Sequence, residues 1–370
     1  MRYFAVNRVA VASEPFRVAK NRCPHPFYGG DRISTTLRWV LALTGLNFLN
    51  LVYTQNIFYT RQTVILNLSV LFIFWVAKQE IKTDRRRAIL CWIIMVSGLL
   101  VSAEAFCQQL LGKGILGFWS NLPVGTIGNT NYLGCYLLFP IFASIALFSN
   151  PRTCRHVRFG IIPSSFLLLV SALVLSRARA SWLGFGVGFT LWVFLTVPRK
   201  TFIVVALLGS LGMLVAILWF PHVAKDWTET NTLGYRAKYW RASIELSKQN
   251  PMFGTGFGSY RNLVYAAQAK LGQKDPDFWK GYVAPKPRHV HNDYLESLND
   301  GGLLYAVTFW GFIFWILRNS FRKGSNRAQV AIWCGLIAIL VSALFFFPMR
   351  LVDTYALFFV QLGALCSESS

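Results

Sequence analysis

The sequence predicts an all-α membrane protein: a polytopic bundle of about ten transmembrane helices with one large helical loop outside the membrane. Three observations predict it. Apolar residues make up 54% of the 370 residues and charged residues only 14%, against about 25% charged in a soluble domain. The basic residues sit in short clusters between long apolar runs, the pattern of a multi-spanning chain. Those clusters are also unevenly divided between alternate connections, which orients the spans.

The expected spans lie near 36–54, 63–77, 88–112, 131–149, 157–175, 181–197, 201–220, 303–317, 328–347 and 351–366. They divide the chain into a basic arm at 1–35, seven spans at 36–220, a loop at 221–302, and three spans with a short tail at 303–370. With the N-terminus inside, 21 Lys and Arg fall on the inner side, 5 in short outer connections and 11 in the long loop. Long loops are exempt from the positive-inside rule, so 21 against 5 places both termini in the cytoplasm and 221–302 outside. The arm lacks an apolar h-region, so no cleavable signal peptide is expected.

The net charge of +22 does not indicate nucleic-acid binding, because the cations are dispersed between spans. With 31 Phe the chain is not disordered. The seven cysteines form no CxxC pair, so a zinc site of that kind is unsupported. Within 221–302, residues 231–249 read as an amphipathic helix ended by Asn250-Pro251, then a turn at Gly254-Thr-Gly-Phe-Gly258. Asp293 with Glu296 reads as a capping box that starts a helix leading into the eighth span.

Four outer stretches carry residues fit for chemistry. Gly125-Thr-Ile-Gly-Asn-Thr-Asn131 is a tight loop rich in hydrogen-bonding groups, or an ordinary turn. Ser176-Arg-Ala-Arg-Ala-Ser-Trp-Leu-Gly184 puts Arg177 and Arg179 at an outer mouth, against the charge bias. Their planar donor forks suit phosphate or pyrophosphate; the plainer alternative is snorkelling to headgroups. In Tyr235-Arg-Ala-Lys-Tyr-Trp-Arg241, a helix brings Arg236, Trp240 and Ser243 to one face. That face offers a cation beside an aromatic platform for a sugar, or simply lies on the membrane surface. In His289-Val-His-Asn-Asp-Tyr294, a histidine would be a general base. His-x-His-x-Asp also opens some metal-ligand sets, but Tyr294 stands where another histidine would follow, and a histidine at a helix start can be structural. Asp275-Pro-Asp277 reads first as a turn. Glu104 and Asp353 are intramembrane acids and functional candidates by default; pairing with outer arginines, Arg350 for Asp353, is the alternative.

In succession, the Gly-x-x-Gly-Asn-x-Asn stretch at 125–131, Arg179-Ala-Ser-Trp-Leu-Gly184, Arg236 ahead of Trp240, Asn250-Pro-Met-Phe-Gly-Thr-Gly-Phe-Gly258 and His291-Asn-Asp-Tyr-Leu295 resemble the O-antigen ligase and polymerase family of bacterial membrane glycosyltransferases. The resemblance implies transfer of a glycan from undecaprenyl pyrophosphate to an acceptor hydroxyl. The acceptor would be lipid A–core or another lipid-linked glycan, on the outer side of the inner membrane, in lipopolysaccharide or polysaccharide biosynthesis. It implies an inverting, metal-independent reaction with no cofactor and no nucleic-acid partner. Carried over by position, His291 would be the base, and Arg179 and Arg236 would hold the pyrophosphate with Arg177 as an extra cation. Trp240, Tyr239, Asn292, Asn129 and Asn131 would contact glycan or acceptor. Two other classes stay open: a multi-spanning transporter, and a metal-dependent membrane hydrolase using His289, His291 and Asp293. Against the transporter, no inverted repeat is visible.

Overall fold

The structure, a computed structural model, describes residues 30–116, 122–202, 232–280, 287–321 and 326–366. Most of the N-terminal arm, the seventh expected span at 201–220 beyond residue 202, and the loop's opening through residue 231 with His222 lie outside the described residues. The chain divides into two compact units, Met1–Arg38 and Trp39–Ser370. Of the first, residues 30–38 are described, as helix. The helix packing and the site belong to the second unit.

Every described element is helical. In chain order they are α1 (Gly30–Tyr53), α2 (Ile57–Glu80), α3 (Asp84–Leu111), α4 (Thr130–Ser149), a π turn Val157–Ile161 running into α5 (Ile162–Leu175), and α6 (Arg179–Thr196). Then come α7 (Thr232–Ser247), α8 (Tyr260–Lys274), a 3-10 turn Pro276–Trp279, α9 (Asp293–Ser320), α10 (Arg327–Ser342), a 3-10 turn Pro348–Arg350 and α11 (Val352–Cys366). By length and composition, five stretches are long and apolar enough to cross a membrane: α2, α3, α4, Val157–Leu175 and α9. α10 and α11 are apolar but shorter. A multi-pass membrane protein is therefore supported, with five of the ten expected crossings meeting the length requirement among the described residues.

Helices begin where a short polar side chain meets the first free N–H groups. Asn56 accepts from Tyr59 N at 3.2 Å, Thr83 from Arg86 N at 3.3 Å, and Asn326 from Gln329 N at 2.8 Å. α4 is the central helix, buried from Leu133 through Leu147 and surrounded by α3, α5, α6 and α10. α11 packs on α2, α9 and α10. A polar knot ties four helices inside this apolar core. Asn67 of α2 donates to Asn47 of α1 at 2.7 Å and to the Tyr305 hydroxyl of α9 at 3.2 Å, while Tyr355 of α11 donates to Asn67 at 3.1 Å. Hydrogen bonds of this kind between membrane helices are each worth on the order of 1 kcal/mol.

α7 and α8 form a small separate layer with its own apolar cluster, including Ala242, Leu246, Tyr260, Val264, Phe278 and Val290. Glu245 binds its rim, accepting from Lys270, Lys248 and Lys274, which hold its carboxyl down at about 2. The glycine turn at 254–258 fastens this layer to the bundle. Thr255 N and Gly256 N donate to the carbonyls of Asn299 and Asp300 at 2.9 Å each, and Phe257 N donates to Asn50 Oδ1 at 2.8 Å. α9 is kinked where it receives them, with Gly302 at φ 69°. Gly256 sits at φ 103° with Thr54 against its α-carbon. A side chain there meets both a left-handed penalty of about 1–2 kcal/mol and a collision. Gly256→Ala should lower the melting temperature of the solubilised protein by several degrees. An unchanged melting curve by intrinsic tryptophan fluorescence would contradict this anchoring role.

Candidate active site

The site is built on the first turns of α9. Asn292 is the N-cap, accepting from Leu295 N at 3.0 Å and donating to the Leu344 carbonyl at 3.0 Å. The cap thus falls one residue before the expected Asp293. Asp293, Glu296 and Asp300 follow at i, i+3 and i+7, so they share one face. All three are buried and converge on Arg350, from the 3-10 turn before α11. Arg350 Nη1 lies 2.9 Å from Asp300, and its Nε lies 3.6 Å from Glu296 and 3.8 Å from Asp293. Burial works against its charge, but the carboxylates of Asp300, Glu296 and Asp293 outweigh it and hold its pKa above the usual arginine value. Arg350 therefore engages the α9 acids rather than the expected Asp353.

Glu296 does not cap its own helix. Its two oxygens reach the preceding segment, one to His289 Nδ1 at 2.8 Å and the other accepting from Val290 N at 2.9 Å. This clasp fixes the backbone immediately before His291, which sits in the left-handed region at φ 57°. His289 stacks on Phe347 with centroids 4.3 Å apart. Phe347 also meets the edge of His291 at 5.0 Å, and Tyr239 of α7 stacks on His291 at 6.0 Å. An aromatic wall thus holds the imidazole. Burial first, then the Arg236 charge, push the His291 pKa down to about 4.

Arg236 lies half-buried on α7. Burial and the neighbouring Arg179 both lower its pKa. Arg179 is the first residue of α6. Its turn is seated by Ala178 and Ser176, which lie against Gly134 of α4, and by Trp182 Nε1 donating to the Leu173 carbonyl at 2.8 Å. Arg179 thus acts on Arg236, and Arg236 on His291: stretches separated by more than a hundred residues share one electrostatic neighbourhood. Arg236 Nε and His291 Nδ1 are buried atoms without a hydrogen-bond partner among the described residues. Such groups are costly in a closed interior, and they suit an anion and a transferable proton.

The other expected residues divide. Tyr239 is part of the wall. Trp240 lies against Phe345 at 6.0 Å, its indole N–H buried and unpartnered among the described residues. Arg177 is exposed on the turn before α6. Asn129 is the N-cap of α4, accepting from Asn131 N at 2.8 Å and Tyr132 N at 3.4 Å. Asn131 is half-buried in that first turn. Asn129→Ala should cost about 1 kcal/mol, while Asn129→Asp should keep the wild-type melting temperature. Equal stability of the two variants would contradict the capping role. Gln108 holds the same loop, accepting from Val124 N and Gly125 N at 2.9 and 2.8 Å and donating to Gly125 O at 3.0 Å. Glu104 accepts from Leu116 N at 3.2 Å, so it serves the loop. Asp275 accepts from Asp277 N at 3.2 Å and pairs with Arg241 at 2.8 Å, the turn its sequence suggests.

The Asp293–Glu296–Asp300–Arg350 cluster escapes sequence reasoning. The acids' helical spacing is visible, but their cation comes from a turn fifty residues further on. As for a metal, His289 is committed to Glu296, and Asp293 accepts from Met349 N at 2.8 Å. Among the described residues no three His, Cys, Asp or Glu side chains are grouped to hold an ion.

Residues 164–309 match the family model described as O-antigen ligase, which bears out the resemblance carried by the motifs. That span contains Arg179, Arg236 and His291. A solved structure described as "Structural coordination of polymerization and crosslinking by a peptidoglycan synthase complex" aligns over 90% of this chain and 97% of that one, at 14% identity and a TM-score of 0.47. No curated protein matches this chain.

Proposed function

We propose, from the premise that residues 164–309 are an O-antigen ligase domain in a multi-pass membrane protein, that this chain transfers a glycan from a lipid pyrophosphate to an acceptor hydroxyl. The observation that carries the reading is the shared neighbourhood of Arg179, Arg236 and His291, with Arg236 Nε and His291 Nδ1 buried and unpartnered among the described residues.

The acceptor oxygen attacks the anomeric carbon as His291 takes its proton. The new glycosidic bond forms while the carbon–oxygen bond to pyrophosphate breaks, and the electron pair leaves on the lipid pyrophosphate. Arg179 and Arg236 stabilise the charge that develops there. A single displacement of this kind inverts the anomeric centre and asks no metal of the protein. Trp240 and Tyr239 supply ring faces for the sugar. The donor is an undecaprenyl pyrophosphate glycan, the acceptor a lipid A–core or a second lipid-linked chain, and the site faces away from the cytoplasm in the inner membrane.

The low pKa of His291 gives a pH signature. The neutral imidazole is the base, and it persists down to about pH 4. The acidic limb of kcat/KM should therefore fall near pH 4, not near the ordinary value of about 6.5. Because the folded pKa is the depressed one, the associated stability is complete above about 6.5 and is lost as pH falls toward 4. An acidic limb centred at 6.5 in the purified enzyme would contradict a buried, neutral base.

A further inference from the structure

At the end of the bundle opposite His291, a cavity of about 430 Å3 opens between the start of α3, the end of α4 and the start of α10. α4, of 20 residues, separates it from the site, about 30 Å at 1.5 Å per residue. Among the described residues, four guanidinium groups line it, those of Arg87, Arg152, Arg158 and Arg327, with a single acid, Asp84. A second cavity of about 420 Å3 adjoins it, sharing Asp84 and Arg152 and adding Arg85.

The arginines are of two kinds. Arg87 is buried and fixed: its Nε donates to the Ala364 carbonyl at 3.1 Å, and its Nη1 pairs with Asp84 at 3.0 Å. Arg158 is also fixed, donating to the Phe148 carbonyl at 2.7 Å with its guanidinium 5.6 Å from the Phe148 and Phe159 ring centres. Arg152 and Arg327 are exposed and enter no ion pair among the described residues. Since Asp84 is matched by Arg87, the charges of Arg152, Arg158 and Arg327 around the first cavity meet no further acid among the described residues. The N-termini of α3 and α10 open on the same space and add their partial positive charge. Beneath this rim the cavity wall is apolar, formed by Cys91, Leu147 and Ile332.

We propose that this cavity binds a phosphate-bearing anionic headgroup, separately from the transfer site. Fixed guanidinium forks match phosphate oxygens, and basic pockets between membrane helices take anionic lipid heads. The apolar floor below the cations favours a lipid phosphodiester, whose glycerol and first methylenes lie where a free phosphate leaves the wall bare.

The test uses the full chain in neutral detergent, with native mass spectrometry against phosphatidylglycerol and phosphatidylcholine. In parallel, melting curves are recorded with inorganic phosphate. Phosphatidylglycerol should be retained over phosphatidylcholine, and Arg152→Ala and Arg327→Ala should each weaken retention about fivefold. Both arginines are exposed, so the lipid-free melting temperature should not move. Stabilisation by inorganic phosphate that depends on these arginines, without phospholipid retention, would keep the site and assign it a soluble phosphate. Retention and melting that are indifferent to both arginines would overturn the proposal.

Discussion

His291→Ala should cost glycan transfer about two to four orders of magnitude, the usual contribution of a positioned base, while the protein remains folded. Stability should be spared because the helix cap next to it belongs to Asn292, the clasp to Glu296, and the anchoring of the turn to Arg350. The imidazole itself makes ring contacts to Tyr239 and Phe347, and its Nδ1 has no hydrogen-bond partner to lose among the described residues. His291→Gln, closer in volume, separates loss of the base from loss of packing. Both variants should be defective, with melting temperatures near wild type. Turnover within a few-fold of wild type, measured with a lipid-linked donor and purified protein, would remove His291 from the proton transfer.

Arg236→Ala should be nearly as damaging, by about two to three orders of magnitude in kcat, if its guanidinium stabilises the departing pyrophosphate. Arg236→Lys keeps the charge but loses the planar fork, so it should recover only part of the rate. A second readout separates this role from a structural one. Arg236 is one of the causes depressing the His291 pKa. Without it, the acidic limb of kcat/KM should move upward from about 4. A full rate with an unmoved limb would show that Arg236 is remote from both leaving group and base.

The chemistry of the site is legible in the sequence where it is local. Arg179 stands out as a cation at a mouth where the charge bias calls for none, and His291 as one of few histidines. Their meeting follows only from motif order, since nothing in the spacing of residues 179, 236 and 291 fixes a tertiary approach. The family resemblance implies that Asn129 and Asn292 contact glycan or acceptor. In the structure their side chains cap the N-termini of α4 and α9, and an asparagine directly ahead of an apolar helical run is the available sign of that capping role. The spacing of Glu296 suggests that it caps its own helix, yet it reaches back to His289 and Val290. Arg350 stands beside Asp353 in the sequence. Its partners lie across α9, because three buried carboxylates on one helical face need a cation that their own segment lacks.

The spans show a similar division. Apolar length locates α2, α3, α4 and α9, though α2 runs from Ile57 to Glu80, well beyond the expected 63–77. The extra turns are polar at one end and held by the Asn56 cap, so hydropathy alone stops short. The polar knot of Asn47, Asn67, Tyr305 and Tyr355 is invisible in the sequence for the same reason as the acidic cluster. Each member is unremarkable in its own segment, and only packing shows why it is tolerated there.

The decisive measurement is an experimental structure of the full chain with an undecaprenyl-pyrophosphate-linked glycan bound. Diphosphate oxygens should lie within hydrogen-bonding distance of both Arg179 and Arg236, with the anomeric carbon presented towards His291. A diphosphate lodged elsewhere, whether in the arginine-lined cavity at the far end of α4 or on a surface out of reach of His291, would contradict the account.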